Sequence, residues 1–164
     1  MPRLPTLGAT ARRLALVAAL AAACTPDGPR AIAYDEESCG FCRMTISDRR
    51  FGAEVITATG RIHTFDSVEC LAAFVLAQDS AAVRGVWVSD WNHPGTFLAA
   101  DSAEFRRLQG AAGSPMGKGF VATQRGVVPA GARAAGATMR WSDVLAAARH
   151  DGALAEATHA ARAD

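Results

Sequence analysis

The most regular stretch of the chain alternates between apolar and polar positions. Phe51-Gly-Ala-Glu-Val-Ile-Thr-Ala58 and Arg61-Ile-His-Thr-Phe65 carry the two-residue period of strands, and Thr59-Gly60 between them supplies a tight turn. The period then lengthens to that of a helix, with Val68, Leu71, Ala72 and Val75 on one face of a segment running to about Gln78. Asp66 stands where an N-cap would. Glu69, three residues on, is the other half of a capping box, and Phe65 and Cys70 occupy the positions of a hydrophobic staple. Val83 to Trp91 reads as the next strand, giving a ββαβ unit over about 51–91.

The second half is patterned more weakly. Asn92-His-Pro-Gly95 is a turn cluster, Thr96–Ala100 a short strand, 109–115 a glycine-rich loop and Gly119–Gln124 another strand. The Gly- and Ala-rich stretch 127–138 has no deciding period. Arg140–Arg149 is helical with Ser142 as its N-cap, and 151–164 is a tail. The expected class is α+β: two small ββαβ-type units, the second degraded, over 39–92 and 93–150.

The start of the chain follows a different rule. Met1–Ala23 contains Arg3, Arg12 and Arg13, no acid, and the apolar run from Leu14 to Ala23. Ten residues make a helix of about 15 Å, half of a hydrocarbon core. The run is the length of a signal-peptide core and too short for a stable span. It ends in Leu20-Ala-Ala-Ala-Cys24, which resembles a bacterial lipobox and makes Cys24 the expected lipidation site. The alternative is an ordinary secretory signal cleaved near Ala23. The expected location is thus the bacterial cell envelope, periplasm-facing and anchored by an N-terminal lipid, with 24–38 (two prolines, a glycine and four acids) as a flexible tether.

Composition narrows the function. With 17 basic and 16 acidic residues in 164, the formal charge is +1, and losing residues 1–23 removes three arginines and turns it negative. No basic field for nucleic acid is present. No P-loop, paired carboxylates or Ser/His/Asp pattern stands out, so an enzyme is not expected.

The chemistry gathers at Ser38-Cys-Gly-Phe-Cys-Arg-Met44. In an extended segment Cys42 and Met44 share a face, and Gly40 lets the loop fold Cys39 back toward them. Three soft donors within six residues favour Cu(I). A structural zinc site would want four ligands, and no second CxxC or paired His follows. CxxC is also a redox motif, and an oxidising compartment would allow a structural Cys39–Cys42 disulfide, so metal, redox and disulfide readings all stand on the residues. Cys70 reads as staple packing, Met139 as packing beside Trp141, and His150 and His159 as solvated. His63 and His93 are possible nitrogen ligands.

Cys39-Gly-Phe-Cys-Arg-Met44, Phe65-Asp-Ser67 opening a helix, and Ser114-Pro-Met-Gly117 followed by Phe120 together resemble the NosL family, the lipoprotein copper chaperones and accessory proteins of nitrous-oxide reductase. The likeness runs from about Cys39 to Leu145. It departs at Arg43, where the family more often has glycine. The resemblance implies paired ββαβ-type units and Cu(I) delivery outside the cytoplasm. It also implies a metal site of Cys42 and Met44 with Cys39 and Met116, and as partner a client copper enzyme or its assembly machinery, nitrous-oxide reductase foremost. The rival is a membrane-tethered thiol–disulfide reductase using Cys39 and Cys42.

Overall fold

A computed structural model describes residues 28–110, 114–131 and 133–150. The signal segment, Cys24 and the tail 151–164, with His159, lie outside the described residues. In chain order the elements are β1 (Ala53–Thr57), β2 (Ile62–Phe65), α1 (Val68–Ala77), β3 (Val83–Asp90), β4 (His93–Ala99), β5 (Glu104–Leu108), β6 (Phe120–Thr123), β7 (Ala134–Met139) and α2 (Trp141–His150). The class is α+β, as the patterning predicts. Among the described residues no helix is long and apolar enough to cross a membrane.

The β1–β2 hairpin closes where expected. Gly60 adopts φ 83°, a conformation that glycine takes without cost, and its N–H donates to the Thr57 carbonyl. Both halves of the chain share one seven-stranded sheet ordered β2-β1-β3-β6-β5-β7, with β4 also paired to β3. The halves meet where β3 and β6 run parallel, in register at Asp90 and Ala122. In the first half, β1 pairs antiparallel with both β2 and β3, with α1 inserted between β2 and β3. The second half, from β4 on, sets β5 between β6 and β7 and adds its helix last, so its order is ββββα rather than the expected ββαβ.

Phe65, Leu71, Val55, Val88, Phe105, Phe120 and Val144 are buried beneath the helices together with several alanines. Each large side chain contributes about 1.5–3 kcal/mol on leaving water. Val68, Leu71 and Ala72 of α1 are buried, as their spacing predicts, and Val75 is half-buried against the same core.

Three local expectations change. The N-cap of α1 is Ser67, whose Oγ accepts from the Cys70 N–H at 3.1 Å, so Asp66 precedes the cap and Glu69 is not its capping-box partner. Helix α2 starts at Trp141. Ser142 therefore lies inside its first turn, and the Asp143 carboxylate accepts from the Arg140 N–H at 2.8 Å. The stretch expected as a tether is docked from Arg30 onward. Ile32 is buried in the core, the Arg30 N–H donates to Glu54 Oε1, and Glu37 accepts from the Ala33 N–H, the Thr64 hydroxyl and the Arg30 guanidinium. That guanidinium, first among these, holds the Glu37 carboxyl down at about 2.

Candidate metal centre

Two pieces of chain build the site. The first is the loop from Ser38 to Thr45, whose ends form an antiparallel bridge. Inside it the Cys39 N–H donates to the Met44 carbonyl at 2.8 Å and the Arg43 N–H to the Cys39 carbonyl at 3.1 Å. The Gly40 N–H donates to the Thr64 carbonyl at 2.8 Å and lays the loop on β2. The second piece is the start of α1. Asp66 just before the cap and Cys70 in the first turn are four residues apart, the spacing that brings side chains together on one helical face.

These pieces place Cys39 Sγ, Cys42 Sγ, Cys70 Sγ and a carboxylate oxygen of Asp66 within 4.8 Å of one another. Cys39 and Cys70 are fully buried, Asp66 is 2% exposed, and Cys42 is half-buried. All three cysteines are free thiols. Cys42 Sγ donates to Asp66 Oδ2 at 3.2 Å, whereas Asp66 Oδ1 is buried without a partner.

The thiols differ sharply in acidity. The Cys70 thiol donating toward Cys39, helped by the backbone N–H groups of Asp66, Phe41 and Cys42, brings Cys39 down to about 6 against the pull of burial. Burial first, and then the Asp66 acceptor and Cys39, push Cys42 up to about 12. Its bond to Cys39 and its burial raise Cys70 well above the usual thiol range. One thiolate is thus prepared between two protonated neighbours, a set that can close on a soft cation as the remaining protons leave.

Of the expected ligands, Cys39 and Cys42 are brought together. Met44 is not placed beside Cys42 by extended geometry: Arg43, at φ 67°, breaks the alternation, and Met44 is 44% exposed. Met116 is half-buried against the core, in a loop whose Ser114 hydroxyl donates to Glu69 Oε1. His63 packs its ring on Phe74, and His93 Nδ1 lies 2.9 Å from Asp90 Oδ2. Neither histidine is in the cluster.

Cys70 and Asp66 are the members that sequence reasoning assigned elsewhere. Cys70 was expected to pack and Asp66 to cap. With Ser67 as the cap, Asp66 is released for the cluster. The signal available was the Asp-x-x-x-Cys spacing at a helix start.

No family model and no curated protein matches the chain. Among solved structures, the copper chaperone NosL from Shewanella denitrificans is similar. It is 24% identical, the match covers 60% of this chain and 79% of that one, and the TM-score is 0.50. The chain therefore has a NosL-like fold.

Proposed function

We propose that the protein is a membrane-tethered, extracytoplasmic Cu(I) carrier that passes its ion to a client copper enzyme, with nitrous-oxide reductase assembly the foremost client. The observation that carries the reading is the cluster of three thiols in a fold like that of a copper chaperone. Thiolates bind Cu(I) in low coordination numbers, so an incoming donor can join before an old one leaves. Cys42, half-buried between buried Cys39 and exposed Met44, is the accessible end of the set.

The same exposure pattern weighs against the thiol–disulfide reductase. Such enzymes present a low-pKa thiolate to solvent, whereas the lowered thiol here, Cys39, is 0% exposed. Cu(I) titration of the reduced protein under anaerobic conditions, against a competing chelator, tests the carrier. Wild type should take up one ion tightly, Cys39→Ala should lose most of that affinity, and Met44→Leu should lose only a few-fold because Met44 is 44% exposed. Wild-type affinity in Cys39→Ala would sink the reading. Wild-type affinity in Met44→Leu would remove the methionine from the site.

A further inference from the structure

We propose that Asp66 is itself a metal ligand and that the cluster also takes a tetrahedral divalent ion of the Zn(II) class, bound by Cys39, Cys42, Cys70 and Asp66. The proposal rests on reading the cluster as a metal site, but not on copper being its cargo.

Cu(I) alone leaves Asp66 unexplained. Soft Cu(I) is satisfied by two or three thiolates and has little use for a hard carboxylate oxygen. Yet Asp66 is held at 2% exposure with Oδ1 lacking any hydrogen-bond partner, a costly arrangement for a carboxylate. A borderline divalent ion accepts sulfur and oxygen donors alike and takes four of them tetrahedrally. At a Zn–S distance of about 2.3 Å the sulfurs of a tetrahedron stand about 3.8 Å apart. The four donor atoms already lie within 4.8 Å of one another, so small side-chain adjustments close the set.

Charge points the same way. Once a metal has displaced the thiol protons, three thiolates and a carboxylate carry four negative charges in a buried space, and a divalent ion offsets two of them where Cu(I) offsets one. A zinc site looks short of ligands when only the CxxC is read. The start of α1 supplies the missing two. Asp66 then sets metal choice: the divalent ion uses it and Cu(I) does not.

The test is anaerobic titration of the reduced full-length protein in detergent with Co(II), followed by displacement with Zn(II), beside the Cu(I) titration. Wild type should give the visible bands of tetrahedral Co(II) with thiolate charge transfer, lost on adding Zn(II). X-ray absorption of the Zn(II) form should count three sulfurs and one oxygen. Asp66→Asn keeps the shape and an acceptor for the Cys42 thiol but is a poor ligand. It should lose about tenfold or more in Zn(II) affinity while Cu(I) affinity changes by less than about threefold.

Cu(I) binding without a tetrahedral Co(II) spectrum would overturn this proposal and leave the copper reading intact. Equal losses of both metals in Asp66→Asn would make Asp66 a positioning residue and overturn it as well. Binding of neither metal by wild type would remove the metal site altogether. If circular dichroism shows the variant unfolded, the wild-type absorption count decides, and any first shell without oxygen overturns the proposal.

Discussion

Cys42 Sγ donates a hydrogen bond to Asp66 Oδ2 across 24 positions of sequence, and with the Cys70–Cys39 contact it joins the CxxC loop to the start of α1. It turns a local motif into a site with an interior.

Cys70 packs in the core and also belongs to the thiol cluster. Cys70→Ala keeps a small apolar group in a fully buried position, so the metal-free protein should remain folded with a modest loss of stability. Cu(I) affinity in chelator competition should fall about tenfold or more. Unchanged affinity would return Cys70 to a packing role.

Ser67, not Asp66, caps α1. Ser67→Ala removes the acceptor of the Cys70 N–H and should cost about 1 kcal/mol, roughly 4 °C in melting temperature. Because that N–H belongs to a cluster residue, the variant should also bind Cu(I) more weakly. A melting curve that overlays wild type would reassign the cap.

Glu54 should make stability depend on pH in an unusual direction. Its side chain is fully buried on β1 with Oε2 unpartnered, and burial, only partly opposed by the Arg30 N–H, raises its carboxyl to about 7. The folded chain therefore holds this proton more tightly than the unfolded chain, where the value is near 4.5. Glu54's contribution is fully present below about pH 4.5 and is lost as pH rises toward about 7. Glu54→Gln should accordingly melt higher than wild type at pH 8, with the gap closing by pH 4.5. A gap that widens toward acid would contradict the assignment.

Cys24→Ser should release the protein from membranes without altering its melting curve, because among the described residues the first core member is Ile32. Fractionation of wild type and variant after a salt wash reads this directly. A variant still in the membrane pellet would exclude lipidation at Cys24 as the anchor.

The first half of the fold was legible because its period changes cleanly. Alternation gave β1 and β2, and a 3.6-residue face gave α1. Two strands of the second half were not. Glu104–Leu108, with three charged residues in five, and Ala134–Met139, mostly alanine and glycine, owe their pairing to β5 lying between β6 and β7 rather than to any preference of their own. Strand β4 begins at His93 and includes Pro94, which a strand tolerates at a sheet edge.

The site was half-legible for a similar reason. Cys39 and Cys42 lie three positions apart in sequence, whereas Asp66 and Cys70 reach them only through the β1–β2 hairpin and the docking of Gly40 on β2. The positive φ at Arg43 cannot be read from a residue that rarely adopts it, so the extended alternation that puts Cys42 and Met44 on one face does not hold there.

The division of donors between a loop and a helix start would also make a bound ion a structural cross-link. An unfolded chain can offer a metal the two cysteines of the CxxC loop, but Asp66 and Cys70 join them only after β1, β2 and α1 have assembled. Such an ion would favour the native state over the denatured one by mass action, by about 2.7 kcal/mol at a free concentration one hundred times the dissociation constant. Losing a bound ion would withdraw that support, so the metal-free protein should open more readily around the CxxC loop.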